Sequence, residues 1–514
     1  MKWMGRILFF VLALLTLHGP IYSFETLPKG IIRYRNIEPG SSKPKIALVT
    51  FISEPKYSHV SETYVPYPEV VRFGTRSKIL YCQKHGYDYI IGSQKMTKCL
   101  GMSAPNKEKL SIHWMKVPMI GNFLGEYDWV IWTDADSIIL NPDITLESLI
   151  NDKYDVIFGT FGMGQGARGT GHIYVKNSEW SRQFLKEWWS YSEQIHEGQW
   201  DLERLNDMLN TKGHSAYFDH FGYLPVKLSD LAAEEFVVGD FMVHFYSYHG
   251  KHLYQIFKVF EEKYSYIIDK LENELLENDL LKGRYTDHLE IFKEIFASSA
   301  IRGVLELGMG TSTRFFLNNC PKVISVDFVN RALGPDWLNY CLKIFKYRTN
   351  WYPIAFLSGC TLTTYPIEPY PRLQFIQGST RVRDAHLLAL RVPNRALMTD
   401  KTYYTDLDGF ARRVTRQNSI DLGFVISGLF LRGELVQSLF DKVPIIVVHD
   451  FPKDISKVDP SSDRYGYTFI SAPSHYEAIY FGPPVCQEGL KVWINKNDSR
   501  FTDTIKRLKS LACY

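Results

Sequence analysis

The sequence lacks a strong charge of either sign. Its 514 residues include 59 lysines and arginines and 56 aspartates and glutamates, which gives a net charge of +3. Because a nucleic-acid-binding surface needs concentrated positive charge, this balance gives no electrostatic reason to expect nucleic acid as a partner. The composition is 45% hydrophobic and 15% aromatic, enough to bury the cores of two or three domains and to exclude a disordered chain.

Cysteine is scarce. The chain has seven cysteines with no CxxC pair and no metal-ligand spacing among them. The odd number leaves at least one thiol free or paired with another chain. The seven positions are Cys82, Cys99, Cys320, Cys341, Cys360, Cys486 and Cys513.

The apolar run at the N-terminus is short. Lys2 and Arg6 precede the run 7–17, a length that suits the core of a signal peptide better than a membrane span. Residues 1–24 are therefore predicted to be a signal peptide or, if 21–24 extend the run, a signal anchor. Either interpretation predicts a secretory route and a Golgi or other membrane-associated lumenal location, with secretion if the segment is cleaved.

Two carboxylates follow a buried-strand pattern in residues 127–142, YDWVIWTDADSIILNP. The apolar run 129–132 is typical of a central parallel strand, and Asp134 and Asp136 stand where such a strand ends. Ligands of open α/β sheets bind at that edge, where two carboxylates can hold Mn²⁺ or Mg²⁺ beside a diphosphate. The alternative is a helix N-cap and one solvated carboxylate.

Strand and helix patterns alternate around this motif. A linker rich in Pro, Gly and Ser is predicted at 25–44. The predicted elements that follow it are a strand at 45–52, a helix at 69–85, a strand at 87–91, a helix at 110–124, a strand at 154–158 and a helix at 178–191. This rhythm indicates a mostly parallel sheet. The glycine-rich run 159–177 is predicted to be a loop, either a ligand contact or a plain connection.

Five blocks in the first half together resemble one known family. They are RSKILYCQKHGYDY at 76–89, HWMKVPMI at 113–120, the motif at 127–142, GTGHIYVKNSEWSRQFLKEW at 169–188 and GDFMVHF at 239–245. In this order they resemble the galactosyl-, mannosyl- and xylosyltransferases of glycosyltransferase family 34, which have a GT-A fold. The resemblance implies a glycosyltransferase domain over 45–258.

The resemblance also implies site residues. Asp134, Asp136 and His244 would coordinate Mn²⁺ or Mg²⁺, which would bind the diphosphate of a nucleotide-sugar donor, and Asp134 and Asp136 would thereby take part in catalysis. Gln199 is similar to a family residue near the glycan acceptor and is expected to be catalytic as well. The family retains anomeric configuration. This chain has Gly169-Thr170-Gly171 where the family carries an Asn, so its sugar specificity is left open.

A second α/β pattern is predicted at 286–514, after a charged bridging helix at 259–285. The strand in IRGVLELGMG leads into a turn with Glu306, Gly308 and Gly310, where backbone can approach a nucleoside cofactor. The next strand is predicted to end at Asp327, whose carboxylate can accept hydrogen bonds from ribose hydroxyls.

Residues 287–494 resemble class I S-adenosylmethionine-dependent methyltransferases of the small-molecule O-methyltransferase type, which have a Rossmann-like fold. The resemblance places the fourth strand at 421–427 and the fifth at 443–450. Metal-dependent members often carry Asp-Gly where this chain has Ser427-Gly428. Either methylation is metal-independent with His449 as general base, or the domain binds the cofactor without turnover. A dinucleotide cofactor is a distant alternative.

The sequence thus predicts a two-domain α/β enzyme. A metal-dependent glycosyltransferase is expected to transfer a hexose or pentose from a nucleotide-sugar to a glycan, and the fused domain to O-methylate the product. The alternatives are a glycosyltransferase with an inactive C-terminal module and a non-catalytic carbohydrate-binding protein. A second Asp pair, Asp406 and Asp408, follows no apolar strand and is predicted to lie in a turn or solvated loop.

Overall fold

The computed structural model describes the chain in two compact units, Met1–Leu275 and Leu276–Tyr514. The described residues are 24–27, 31–52, 67–93, 112–160, 168–194, 201–213, 217–229, 231–245, 250–280, 286–330, 335–358, 367, 370–378, 401–426, 432–459, 463 and 465–512. Within these ranges no helix is long and apolar enough to cross a membrane. The predicted signal peptide or anchor at 1–24 lies almost wholly outside them.

The N-terminal unit is built on a mixed eight-stranded sheet with the order β1-β2-β4-β3-β5-β8-β7-β9. Its strands are β1 (Phe24–Leu27), β2 (Ile31–Tyr34), β3 (Ile46–Ile52), β4 (Asp88–Ser93), β5 (Trp129–Thr133), β7 (Val156–Thr160), β8 (Arg168–Lys176) and β9 (Phe221–Leu224). A separate antiparallel pair is formed by β6 (Ser137–Ile139) and β10 (Met242–His244).

The prediction of a mostly parallel sheet is wrong for this unit. Strand β3 pairs in parallel with β4 and β5, but β8 lies antiparallel to both β5 and β7. The reason is that the glycine-rich run 159–177, predicted to be a loop, contains the whole of β8, which is buried along nearly its whole length. The segment 25–44, predicted to be a linker, contributes strands β1 and β2 to the sheet.

Helices cover both faces of this sheet, which is why β3 and β5 are almost entirely apolar and buried. The helices are α1 (Tyr67–His85), α2 (Lys116–Phe123), α3 (Glu179–Ser190), α4 (Asp201–Lys212) and α5 (Gly250–Leu280). Helix α2 begins after a 3-10 turn at Ile112–Met115. Helix α5 starts earlier than the bridging helix predicted at 259–285, and the boundary between the units falls inside it.

The C-terminal unit has an eight-stranded sheet with the order β14-β13-β12-β11-β15-β16-β18-β17. Its strands are β11 (Val304–Leu307), β12 (Val323–Asn330), β13 (Trp351–Ser358), β14 (Gln374–Gly378), β15 (Leu422–Val425), β16 (Ile445–His449), β17 (Tyr476–Phe481) and β18 (Leu490–Asn495). The strands from β14 to β16 are parallel, and β18 is antiparallel to both of its neighbours. Because the strand order reverses between β11 and β15, a ligand-binding crevice is expected at the carboxyl ends of these strands.

The helices of the C-terminal unit pack their apolar faces against this sheet. They are α6 (Leu289–Ser298), α7 (Thr311–Asn319), α8 (Asp336–Ile344), α9 (Lys401–Asn418), α10 (Arg432–Leu439) and α11 (Thr502–Ala512). One core forms where Phe292 and Phe316 contact Phe424 of β15. Asp406 and Asp408 were predicted to lie in a turn or loop, but the backbone of α9 runs through both positions.

Candidate functional site

Asp134 and Asp136 lie just beyond the carboxyl end of β5, next to the point where the strand order changes direction. Strand β3 lies between β4 and β5 in the sheet and is parallel to both. The chain therefore adds β4 on one side of β3 and β5 on the other, which is the change of direction. The Asp134 N–H donates to the Gly171 carbonyl (3.0 Å), which ties the turn to β8. The pair therefore occupies the edge where an open α/β sheet binds ligands.

His244 lies next to these two carboxylates, although it comes from β10, the last strand described in the N-terminal unit. Strands β10 and β6 pair antiparallel, which aligns His244 with Ser137. The His244 Nε2 atom lies 3.2 Å from Asp136 Oδ1 and 3.6 Å from Asp134 Oδ2. One ligand atom from each of the three residues lies within 4.8 Å of the other two. The structure thus brings together the three residues that the sequence singled out as metal ligands.

The spacing of these atoms suits a divalent cation. A cation with oxygen and nitrogen ligands at about 2.1 Å holds adjacent ligand atoms roughly 3 Å apart. The separations of 3.2 and 3.6 Å between His244 Nε2 and the two carboxylates are close to that value. Two carboxylates and an imidazole are ligands that Mn²⁺ accepts, and about a quarter of each carboxylate side chain is exposed, which leaves room for further ligands.

Neighbouring groups hold the carboxylates in place. The Trp132 indole N–H donates to Asp134 Oδ1 (2.7 Å), so the carboxylate has a fixed orientation. A Cβ atom added to Gly171 would lie 2.7 Å from His244 Cε1. Any residue other than glycine would therefore displace the imidazole. This residue belongs to the glycine-rich run, and its role here is close packing against a strand rather than loop flexibility.

Two buried lysines support the turn. Lys78 is completely buried on α1 and donates to the Asp134 carbonyl (2.7 Å). Lys116 pairs with Asp201 at 2.9 Å and donates to the Thr170 carbonyl. Neither contact could be predicted from the sequence, because both lysines donate to backbone carbonyls.

The electrostatics of the two carboxylates differ. Burial raises the pKa of Asp134, although the positive charges of Lys116 and His244 oppose the rise. Burial also acts to raise the pKa of Asp136, but the charge and hydrogen bond of His244 outweigh it and lower the pKa to about 2. Asp136 is therefore ionised at neutral pH, and a cation at the site would favour the ionised form of Asp134 as well.

Gln199 lies outside the described residues, as does the Ser427-Gly428 dipeptide. The expected acceptor contact of Gln199 therefore stays a prediction.

The turn predicted to bind a nucleoside cofactor lies at the carboxyl end of β11, where the strand order reverses. Gly308 has a φ of +107°, a conformation that favours glycine, and its N–H donates to the Val326 carbonyl. Gly310 precedes helix α7. Glu306 is fully buried and accepts hydrogen bonds from Ser312, Thr313 and Ser325. Both of its carboxylate oxygens are therefore already hydrogen-bonded within the protein.

Asp327 does not end its strand as predicted, because β12 continues to Asn330. Burial raises the pKa of Asp327 to about 6. His449 ends β16 and is buried, with Nδ1 at 2.8 Å from Asp450 Oδ1. Cofactor binding by Asp327 and base catalysis by His449 stay predictions.

The chain is similar to several known proteins. A family described as "Protein of unknown function, DUF273" matches residues 79–203, which contain Asp134 and Asp136. Over 206 residues the chain is 23% identical to galactomannan galactosyltransferase 1 of Cyamopsis tetragonoloba, covering 38% of this chain and 44% of that protein. Over 142 residues it is 25% identical to the probable alpha-1,6-mannosyltransferase MNN10 of Saccharomyces cerevisiae, covering 22% and 35%.

The chain therefore spans less than half the length of the curated relatives it matches. Among solved structures, a glycosyltransferase involved in the glycosylation of the major capsid of PBCV-1 matches 43% of this chain and 100% of its own, at 13% identity and a TM-score of 0.32. At that score the structural likeness supports no conclusion about activity. In sequence, the chain is similar to two proteins named as sugar transferases.

Proposed function

We propose that this protein is a metal-dependent glycosyltransferase whose N-terminal unit transfers a hexose or pentose from a nucleotide-sugar to a glycan. The observation that carries the proposal is the convergence of Asp134, Asp136 and His244 at the carboxyl end of β5. The sequence similarity to a galactosyltransferase and a mannosyltransferase supports the same class of reaction. The binding site would be preorganised, since backbone pairing and buried hydrogen bonds already fix the ligand atoms.

Each side chain has a defined task in this proposal. Asp134, Asp136 and His244 would hold Mn²⁺ or Mg²⁺, and the bound cation would supply positive charge for the diphosphate of the donor. The indole of Trp132 orients one carboxylate, and Lys78 holds the turn that carries it. The sheet edge at the end of β5 would position the donor so that the acceptor hydroxyl can approach the anomeric carbon.

The C-terminal unit is proposed to bind S-adenosylmethionine and to O-methylate the glycan product. Its strand order has a reversal between β11 and β15, and the turn with Gly308 and Gly310 lies at that point. Asp327 would accept hydrogen bonds from the ribose hydroxyls. Glu306 would stabilise the turn through the hydrogen bonds that it accepts from Thr313 and Ser325. The proposed location is the secretory pathway, reached through residues 1–24, with membrane association if they act as an anchor.

Release of nucleoside diphosphate tests the glycosyltransferase. The purified full chain is incubated with Mn²⁺ and, separately, UDP-galactose, UDP-glucose, UDP-xylose and GDP-mannose. We expect metal-dependent release from one donor and its loss in Asp136→Asn. The matched control is Asp143→Asn, since Asp143 is exposed and outside the cluster. Equal activity in both variants would contradict the proposal, and Mn²⁺ binding without release from any donor would favour a carbohydrate-binding protein.

Calorimetry with S-adenosylmethionine tests the second unit. We expect binding by the full chain and weaker binding by Asp327→Asn. Methyl transfer to the glycosylated product would then separate an active methyltransferase from an inactive module that binds the cofactor. A folded chain that takes up no S-adenosylmethionine would overturn this part of the proposal and leave the glycosyltransferase untouched.

A further inference from the structure

The C-terminal unit contains a cluster of potential metal ligands that the sequence did not reveal. Asp287 precedes helix α6, His449 ends β16, and Cys486 lies in the connection between β17 and β18. One ligand atom from each lies within 4.8 Å of the other two. These residues are distant in sequence, so no motif spacing could have indicated that they meet.

Asp287 is the centre of the cluster. Its Oδ2 atom accepts hydrogen bonds from the Cys486 thiol (3.4 Å) and from the Gln487 N–H (2.8 Å). Its Oδ1 atom lies 3.6 Å from His449 Nε2. The Asp287 side chain is 20% exposed, whereas His449 and Cys486 are buried, so the cluster opens to solvent on the Asp287 side.

The Nε2 atom of His449 faces this cluster and is available as a ligand atom. His449 is 1% exposed, and its Nε2 has no hydrogen-bond partner among the described residues. Its Nδ1 lies 2.8 Å from Asp450 Oδ1, and a carboxylate can only accept, so Nδ1 carries a proton and the neutral imidazole has its lone pair on Nε2. A carboxylate behind the imidazole is the usual arrangement of metal-binding histidines.

The carboxylate behind His449 is itself held rigidly. Asp450 has a φ of +56°, a left-handed conformation that costs a non-glycine residue energy. Arg432 donates to its carboxylate and to the His449 carbonyl. The orientation of the imidazole is therefore maintained by a strained residue and a buried guanidinium, a pattern more typical of a working site than of plain core packing.

We propose that Asp287, His449 and Cys486 bind Zn²⁺, so that His449 is a metal ligand and not the general base predicted from the sequence. Zn²⁺ accepts carboxylate, imidazole and thiolate together, and its bonds of about 2.0–2.3 Å hold tetrahedral ligand atoms roughly 3.3–3.7 Å apart. Asp287 Oδ1 lies 3.6 Å from His449 Nε2, and its other oxygen, Oδ2, lies 3.4 Å from Cys486 Sγ, so both neighbours of the carboxylate are at separations of this size. On binding, the Cys486 proton is released to solvent and the thiolate takes its place on the metal. Three protein ligands leave the fourth position for water or a substrate oxygen.

Cobalt titration of the reduced full chain tests this site. After metals are removed with a chelator, Co²⁺ is added and the thiolate-to-cobalt absorption band in the near ultraviolet is measured. Asp134, Asp136 and His244 contain no sulfur, so a cation bound by these three residues cannot give this band. We expect the band to appear with one equivalent of Co²⁺ and to disappear when Zn²⁺ is added in competition.

Variants assign the band to the cluster. Cys486→Ser is expected to abolish it, and Asp287→Asn, which can still accept the Gln487 N–H, to weaken Zn²⁺ binding at least about tenfold. Cys341→Ser is the matched control, since Cys341 is also a buried thiol of this unit. Circular dichroism confirms that each variant is folded. A folded wild type without the band, a band that survives in Cys486→Ser, or equal loss in Cys341→Ser would overturn the proposal.

Discussion

His244 Nε2 lies 3.2 Å from Asp136 Oδ1, although the two residues are 108 positions apart. The contact arises because β10 pairs with β6 directly beside the Asp136 turn, and the Phe245 N–H donates to the Asp136 carbonyl. The imidazole and the carboxylate are therefore fixed by backbone hydrogen bonds and not by a long loop. A site held in this way needs little rearrangement to bind a cation.

His244→Asn is expected to weaken Mn²⁺ binding at least about tenfold, because it withdraws the nitrogen that faces both carboxylates. The measurement is the concentration of free Mn²⁺ by electron paramagnetic resonance during titration of the full chain. His220→Asn is the control. His220 is bonded to Asp155 and stacked on Trp180, outside the cluster, so this variant should bind Mn²⁺ like the wild type. Similar losses in both variants would show that His244 is not a specific ligand.

Gly171→Ala is expected to lower nucleoside diphosphate release at least about tenfold while the protein stays folded. The added methyl group would meet the His244 ring at 2.7 Å and Asp134 Oδ2 at 3.4 Å, so the imidazole must move. Gly121→Ala is the control, since it adds a methyl group on helix α2 with nothing within 4 Å. That change should stabilise the helix by roughly 0.5–1 kcal/mol and leave turnover unchanged. Undiminished turnover in Gly171→Ala would mean that the ring position is unimportant.

The structure could be predicted from the sequence where consecutive residues carried the pattern. The apolar run 129–132 and the two aspartates after it predicted the strand and its ligand edge, because a buried strand and its end can be read from consecutive residues. His244 was placed with them only through the resemblance to a family. Its proximity depends on the pairing of β10 with β6, and nothing near either strand in the sequence indicates that partner.

The sequence failed where tertiary pairing overrode composition. Many glycines in 159–177 predicted a loop, yet β8 is a central strand in which Gly171 is needed for close packing. Asp287, His449 and Cys486 meet only because the ends of three segments converge on one sheet edge. The role of Lys78 could not be predicted, because lysine is rarely buried and its partner is a backbone carbonyl, which has no signature in the sequence.

Lys116→Met is expected to destabilise the N-terminal unit by about 3–5 kcal/mol. Lys116 and Asp201 are 1% and 2% exposed, and removing the ammonium group leaves a buried carboxylate without its counter-charge. Urea unfolding of the full chain measures the effect, and the transition of the N-terminal unit is the one that Mn²⁺ shifts. The double variant Lys116→Met, Asp201→Leu should recover part of the loss, because no unpaired charge then remains. A double variant that is as unstable as the sum of both single variants would argue against a coupled pair.

Glu306 makes the stability of the C-terminal unit depend on pH. Burial outweighs the hydrogen bonds from Ser312, Thr313 and Ser325 and raises the pKa of Glu306 from 4.5 to about 7. Between these values the folded state holds a proton that the unfolded state releases, so the stability decreases as the pH rises through this window. The penalty is nearly absent below pH 4.5 and complete above pH 7.

Glu306→Gln is therefore expected to gain stability relative to the wild type as the pH rises. Since one pKa unit corresponds to about 1.4 kcal/mol, the difference between variant and wild type should change by roughly 2–3 kcal/mol from pH 5 to pH 8. The effect of burial on Asp327 is common to both proteins, whereas the charge of Asp327 raises the pKa of Glu306 only in the wild type and is part of the measured difference. The measurement is the urea transition that does not respond to Mn²⁺, followed at several pH values. Glu290→Gln, an exposed change on helix α6, should give a constant difference. A constant difference for Glu306→Gln as well would show that Glu306 is ionised in the folded protein throughout this range.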